Sequence, residues 1–184
     1  GEGALFAIEE LKRARGARPP ELDRVVVAVD PPATARGDAC GVVVVGRRDG
    51  KAFVLADRTV RGRSPSGWAA VVCQAAREFG AHEVIAEGNQ GGDMVRAVLG
   101  ASDCPAKIEM VHAARSKAAR AEPVALLYEQ GRVIHCEAFS ALEEEMLALG
   151  SEGGPSPDRA DALVWGITRL MLEARSAGPR VRGL

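Results

Sequence analysis

Short apolar runs and stretches with helical periodicity follow one another along the chain and predict an α/β fold. The strand-like runs are 25–30, 40–46, 52–60, 83–87 and 108–111. The first is rich in valine throughout, which is typical of a strand buried on both faces. Asp49-Gly50, between the second and third runs, is a strong hairpin signal. The helix-like stretches are 64–80, 92–99, 116–130, 139–149 and 158–175.

The order of these elements predicts a mixed sheet of about five strands with helices on both faces. The first three runs form an antiparallel meander, and the later ones alternate with helices and should therefore run parallel. Pro123 could split its helix, and residues 131–135 could add a small strand or hairpin. A right-handed crossover can place the fourth run beside the first. Asp30 and Glu87 would then be neighbours at the carboxyl ends of parallel strands.

The predicted domain covers residues 23–176. Before it, Leu5, Ile8 and Leu11 have helical spacing, and Arg-Gly-Ala-Arg-Pro-Pro follows at 15–20. We therefore expect residues 1–22 to be a linker or the tail of an upstream domain. Residues 177–184 are expected to form a flexible C-terminal tail.

Composition narrows the protein class only moderately. Hydrophobic residues make up 47% and charged residues 27%, an ordinary soluble mixture, and the net charge is −1. That charge predicts no global attraction to nucleic acid but leaves room for a local basic patch. The four cysteines are scattered without a CxxC pair, which predicts reduced cytoplasmic thiols rather than a zinc knuckle or a disulfide framework.

Acidic residues at three separate places are the main candidates for chemistry. Asp30 and Glu87 each end an apolar run, and Asp158 and Asp161 share a face of the last helix. Asp30 could instead be a turn residue, and Asp158 could serve only the helix dipole. Asp161 lies in an apolar stretch, where a lone carboxylate is costly. Converging carboxylates repel unless cations lie between them, and oxygen ligands favour Mg²⁺ or Mn²⁺ and phosphoryl transfer.

Two basic stretches could contact phosphate or could be solvated surface. One contains Lys117 and Arg120, three residues apart on one helix face, and the other contains Arg58, Arg61 and Arg63. The three histidines lack metal-ligand spacing. The chain has no GxxxxGK[ST] sequence, so we expect no ATPase activity from it.

Four stretches together carry a family resemblance: 27–31, 86–92, 116–133 and 158–163. The third is the most specific, with the form S-K-x-x-R-A followed by Y-x-x-G-R-V. In these stretches the chain resembles the C-terminal nuclease domain of the large terminase subunit, the DNA-packaging motor of tailed phages. Such a domain would come from a virus or from a phage-derived gene-transfer particle. The resemblance implies an RNase H-like fold.

It also implies a metal-dependent endonuclease that cuts double-stranded concatemeric DNA during packaging, with low sequence specificity. Two Mg²⁺ or Mn²⁺ ions would be bridged by Asp30, with Glu87 on one and Asp158 or Asp161 on the other. Lys117 and Arg120 would orient phosphate. Many members carry an acid where this chain has Pro157, which leaves the division of work between Asp158 and Asp161 open.

The implied partners are duplex DNA, an upstream ATPase domain of the same protein, the portal and the small terminase subunit, with no membrane. The implied location is the cytoplasm of a bacterial host, outside the mature particle. A RuvC-like Holliday-junction resolvase and a docking module without catalysis remain the alternative hypotheses.

Overall fold

The computed structural model describes residues 4–33, 38–88, 91–151, 153–154 and 156–173. Several predicted features fall outside these residues: Asn89 and Gln90 of the glycine-rich loop, the end of the last helix at 174–175, and the tail at 177–184. Among the described residues, no helix combines the length and apolar character that a membrane span needs.

The predicted mixed α/β architecture is confirmed. The strands are β1 Arg24–Asp30, β2 Ala39–Arg48, β3 Lys51–Asp57, β4 Val60–Arg61, β5 Glu83–Glu87, β6 Lys107–Val111 and β7 Val133–His135. The helices are α1 Ile8–Arg13, α2 Pro65–Phe79, α3 Gly92–Ala101, α4 Lys117–Glu129, α5 Ser140–Ala148 and α6 Asp158–Ile167. A π-helical turn, Thr168–Leu172, continues α6. Pro123 lies inside α4 without ending it.

The sheet has the strand order β6-β5-β1-β2-β3-β7, and β4 pairs with β2 outside this path. β1, β2 and β3 form the predicted antiparallel meander, and β5 and β6 are parallel to β1 and β5 respectively. Seven strands are therefore present in the described part of the chain, against about five expected. β7 lies within residues 131–135, where a small extra strand was expected, and β4, with only two residues, is too short to produce a recognisable alternation.

Each face of the sheet is covered by its own helices. Val25, Val27 and Val29 pack with residues of α2 and α3, whereas Val26 and Ala28 pack with α4, α5 and α6. Alternate side chains of a strand point to opposite faces. Asp30 continues the series of Val26 and Ala28 and therefore belongs to the face that α6 covers.

Two glycines allow α6 to lie unusually close to the sheet. A Cβ atom on Gly166 would lie 3.0 Å from Val45 Cγ2 and 3.3 Å from the Cβ atom of Ala28. A Cβ atom on Gly41 would collide with the carbonyl oxygen of Asp158. Gly41 is also the cross-strand partner of Asp30. The first turn of α6 thus rests on the backbone beside Asp30.

Part of the segment predicted as a linker packs against the domain. Phe6 and Leu11 are buried in the core on the α6 side of the sheet. The backbone of His135 donates to Ala14 O (2.8 Å) and accepts from Gly16 N (2.9 Å), so the segment runs along β7. Its apolar side chains find a surface on α4 and β7 that periodicity alone does not reveal. The division of the chain at residue 22 stays a prediction.

The expectation of reduced thiols is wrong for one pair of cysteines. Cys73 and Cys104 form a disulfide between α2 and the loop after α3, whereas Cys40 and Cys136 are free. The two bonded cysteines are 31 residues apart and belong to no spacing motif. Packing of α2 beside α3 brings them together.

Candidate active site

Asp30 and Glu87 lie side by side at one edge of the sheet. β1 and β5 are parallel, and Val29 opposite Ala86 is their last registered pair. Asp30 and Glu87 are the next residue of each strand, so both side chains face α6. Asp30 is buried and Glu87 is half-buried. The predicted juxtaposition of the first two acidic positions is therefore present.

The N-terminal turn of α6 supplies the other two acids. Asp158 accepts a hydrogen bond from Ser156 Oγ (3.0 Å) and faces a cavity of about 230 Å³ that Asp30, Glu87 and Lys117 also line. Asp161 lies one turn further along the helix and is buried. All four acids named from the sequence thus lie at the carboxyl end of β1. Asp158 faces the cavity, and Asp161 pairs with Lys117.

Burial and mutual repulsion control the charge of this cluster. Burial raises the pKa of Asp30 to about 8, and the nearby carboxylates of Asp161, Asp158 and Glu87 add to the effect, against the charge of Lys117. Burial likewise raises the pKa of Asp161 despite its bond to Lys117. Without cations the cluster therefore retains a proton on Asp30 near neutral pH.

Lys117 is the positive charge of the site. Ser116 Oγ accepts from Ala119 N (3.1 Å) and caps α4, so that Lys117 begins the helix opposite α6. Its Nζ lies 2.7 Å from Asp161 Oδ2. Burial of Lys117 works against its charge, but the bond to Asp161 and the carboxylates of Asp30 and Asp158 prevail and raise its pKa. The resemblance implies that Lys117 orients phosphate, which stays a prediction; in the structure Lys117 pairs with a member of the acid cluster.

The donor atoms suit a hard divalent cation. The cluster consists of carboxylates, the ligands that Mg²⁺ and Mn²⁺ prefer, and contains neither histidine nor free thiolate. In the arrangement observed, no three histidine, cysteine or acidic side chains of the described residues are grouped closely enough to hold an ion. The Lys117 ammonium group provides the compensating charge instead. The four carboxylates fit a hard divalent cation, which would take the place of the Lys117 ammonium group beside Asp161.

Three residues that the sequence did not suggest position the first turn of α6. Glu145 of α5 is buried, and its Oε1 accepts from the backbone N–H groups of Arg159 (2.7 Å) and Ala160 (3.3 Å). Arg159 in turn donates to Glu145 Oε2 (2.8 Å) and to Asp57 Oδ2 (2.9 Å) at the end of β3. A helix N-terminus presents unpaired N–H groups that an anion satisfies. The only sequence signal would have been a buried acid in an amphipathic helix.

The remaining basic candidates separate into three environments. Arg120 has its guanidinium carbon 4.7 Å from the ring centroid of Trp165. Arg58 pairs with Glu78 (2.6 Å) and lies over Phe79 of α2. Arg61 lies in β4 opposite Ala39, two residues along β2 from Gly41, and is exposed, as is Arg63. The structure therefore brings Arg61 towards the acidic edge and directs Arg58 to α2.

Several solved structures with the same fold are terminase nuclease domains. The large terminase nuclease from thermophilic phage G20c with bound magnesium superposes with a TM-score of 0.71 at 15% identity, over 92% of this chain and 98% of that one. A mutant nuclease domain of the large terminase subunit of bacterial virus Sf6 with manganese gives 0.65 at 19%, over 89% and 98%. The manganese-soaked, inhibitor-bound human cytomegalovirus terminase nuclease domain gives 0.63 at 15%, over 91% and 95%.

A comparison with family models assigns most of the chain. No curated protein sequence matches it. The model of the terminase RNaseH-like domain matches residues 27–170, a span that runs from the middle of β1 to the π-helical turn after α6. The resemblance drawn from the acidic and S-K-x-x-R-A stretches and the RNase H-like fold are both confirmed. The chain belongs to the terminase RNase H-like domain family.

Proposed function

We propose that this domain is a metal-dependent endonuclease that cuts double-stranded concatemeric DNA during genome packaging. The observation that carries the proposal is the convergence of Asp30, Glu87, Asp158 and Asp161 on one open edge of the sheet. A buried carboxylate with a raised pKa costs stability and brings no benefit to a fold that has no chemistry at this edge. In a site for divalent cations the same carboxylate is useful as a ligand, because the cations remove the repulsion between the carboxylates.

Asp30, Glu87 and Asp158 would hold the ions, with Asp161 joining once Lys117 releases it. The similar terminase nuclease structures with manganese or magnesium support this choice of metal. Bound Mg²⁺ or Mn²⁺, as two ions, would supply Lewis-acid polarisation of the scissile phosphate and make water a usable nucleophile. The cytoplasm of a bacterial host, the location implied by this function, would supply the ions.

The protein's own groups have separate tasks in this scheme. Asp30 lies between Glu87 of β5 and Asp158 of α6 and would hold cations once deprotonated. Lys117 neutralises Asp161 and, if cations took over that task, would be free to contact a DNA phosphate. Gly41 and Glu145 hold the first turn of α6, and therefore Asp158, at its distance from Asp30.

Low sequence specificity follows from the kind of contacts available. The basic side chains nearest the acidic edge are Lys117, which lines the acidic cavity, and Arg61 on β4, and contacts from such side chains to phosphate carry no information about the bases. The net charge of −1 gives the isolated domain weak affinity for DNA. An upstream ATPase domain, the portal and the small terminase subunit would hold the duplex in place.

The direct test is plasmid cleavage by the purified chain. We expect nicking and linearisation with Mn²⁺ or Mg²⁺, none in EDTA, and none with Asp30→Asn. Glu129→Gln, which alters an exposed acid at the end of α4, is the matched control and should cut normally. Cleavage that persists in EDTA contradicts the metal mechanism. Cleavage confined to four-way junctions would replace the packaging nuclease with the junction-resolvase hypothesis.

A further inference from the structure

A second cavity lies beside the acid cluster and has no part in the proposed metal chemistry. Its volume is about 460 Å³, twice that of the acidic cavity. It lies between the loop after β6, the middle of α4, and α6 with its π-helical turn. Its lining includes His112, Arg115, Arg120, Pro123, Trp165 and Leu172.

Two contacts between α4 and α6 connect this cavity to the acid cluster. Lys117 pairs with Asp161, and Arg120 stacks on Trp165. Arg120 is three residues after Lys117 and Trp165 is four after Asp161, so the second contact lies one helical turn from the first, about 5 Å along the axis. The cavity therefore adjoins the acid cluster along α4 and α6.

Arg120 has hydrogen-bonding capacity that the described residues leave unused. Its Nε donates to the carbonyl oxygen of Arg115 (3.3 Å), but its buried Nη1 has no partner among them. A buried guanidinium nitrogen without an acceptor costs free energy that a ligand oxygen would recover after a small rotation of the side chain. The chemistry needed is an anionic oxygen, as in a phosphate.

The rest of the lining favours a nucleotide over a simple anion. Pro123, Val164 and Leu172 offer apolar walls, and His112 and Arg115 are exposed at the rim. The acid in the lining, Glu173, is engaged with Arg169 (2.8 Å). Apolar and aromatic surface beside arginines is the combination that binds unpaired nucleotides.

We infer that this cavity, which we term the nucleotide pocket, holds one unpaired nucleotide of the strand being cut, next to the scissile phosphate. A base stacked in a duplex does not enter a recess between two helices, so the nucleotide leaves the stack, and the pocket contacts offset the lost stacking. The inference rests on the proposed nuclease function and adds to it a preference for locally unpaired DNA.

The fluorescence of Trp165 can report binding in the nucleotide pocket. The chain has two tryptophans, and Trp68 is buried with α2 on the opposite face of the sheet, so a Trp68→Phe background isolates the Trp165 signal. The titrants, in EDTA to prevent cleavage, are 5′-phosphorylated (dT)₄, a closed hairpin duplex and inorganic phosphate. We expect saturable quenching by (dT)₄, at least about tenfold tighter than by phosphate or by the duplex stem.

Two variants at the rim identify the site. Arg115→Ala and Leu172→Glu change exposed side chains and should weaken (dT)₄ binding about three- to tenfold with unchanged melting temperature. Arg77→Ala removes an exposed arginine on α2, the far side of the sheet, and should bind like the parent. Equal affinity for phosphate and (dT)₄, preference for the duplex, or insensitivity to both rim variants would overturn the inference.

Plasmid cleavage with Mn²⁺ separates this inference from the proposed function. A protein that cuts plasmid but does not bind (dT)₄ at Trp165 retains the nuclease function and loses the nucleotide pocket. A protein that binds (dT)₄ there but cuts no DNA with either metal loses the nuclease function, and with it the role of the pocket in cleavage.

Discussion

Glu145 and Arg159 are joined by two hydrogen bonds that fix the start of the helix bearing Asp158. Glu145 Oε1 accepts from the Arg159 backbone N–H at 2.7 Å, and Oε2 accepts from its guanidinium at 2.8 Å. The N-cap residue of α6 is Pro157, whose side chain has no acceptor. The cap of α6 is therefore supplied by Glu145, a side chain of another helix.

We expect Glu145→Gln to weaken the metal site without removing a candidate ligand. The amide keeps one acceptor but loses the charge that faces the helix N-terminus and Arg159, so the free energy of unfolding should fall by about 1–3 kcal/mol. Cleavage should require several-fold more Mn²⁺ for half-maximal rate, because Asp158 is less well positioned. Melting curves and Mn²⁺ titrations measure both effects. Glu144→Gln, on the exposed side of α5, is the control, and an equal shift there would refute the positioning role.

Asp30→Asn should stabilise the metal-free domain in a pH-dependent way. The pKa of Asp30 is raised from 3.8 to about 8 in the folded state, chiefly by burial, so the folded protein binds the proton more tightly than the unfolded chain. The parent therefore loses stability as pH rises from about 4 to 8, and the variant lacks this loss. We expect a stability gain of about 1–3 kcal/mol at pH 8 that shrinks towards pH 5.

Thermal melts in EDTA across this pH range test the prediction for Asp30. With Mn²⁺ the parent should become more stable than the variant, because the parent gains a bound cation and the variant does not. If the variant gains as much stability from Mn²⁺ as the parent, Asp30 is not a ligand.

Lys117→Ala should make the fold depend on divalent cations. Removing the ammonium leaves Asp161 buried without its partner, which we expect to cost about 1–3 kcal/mol after allowance for the solvent exposure of Lys117. Mn²⁺ should restore more stability to the variant than it adds to the parent, since it replaces the missing charge. The difference in melting temperature with and without Mn²⁺ measures this. A smaller metal-induced shift in the variant would indicate that Lys117 assists metal binding instead.

Gly41→Ala should displace α6 from the sheet. The new methyl group would meet the carbonyl oxygen of Asp158, a backbone atom that cannot turn aside, so the helix start must move. We expect a loss of about 2–4 kcal/mol and of most Mn²⁺-dependent stabilisation. Gly100→Ala is the matched control, because a Cβ there meets nothing within 4 Å, and it should be neutral or slightly stabilising. Full cleavage by the Gly41 variant would show that the close approach is unnecessary.

Much of the framework was determined by the sequence alone. The strand at Glu83–Glu87 begins and ends where its apolar run does, and the meander follows from alternation and the Asp49-Gly50 turn. The handedness of the crossover then places Asp30 beside Glu87. These features are local, or follow from a general rule of chain topology, and so one sequence is enough to predict them.

Tertiary structure alone decided how α6 is held and what surrounds it. The contacts of Asp57 and Glu145 with Arg159, the approach of Gly41 to Asp158, and the Cys73–Cys104 disulfide join segments that carry no shared spacing. The sequence around Lys117 does not reveal whether its side chain faces solvent or pairs with Asp161. The pairing depends on how α4 packs against α6, and the whole core sets that packing.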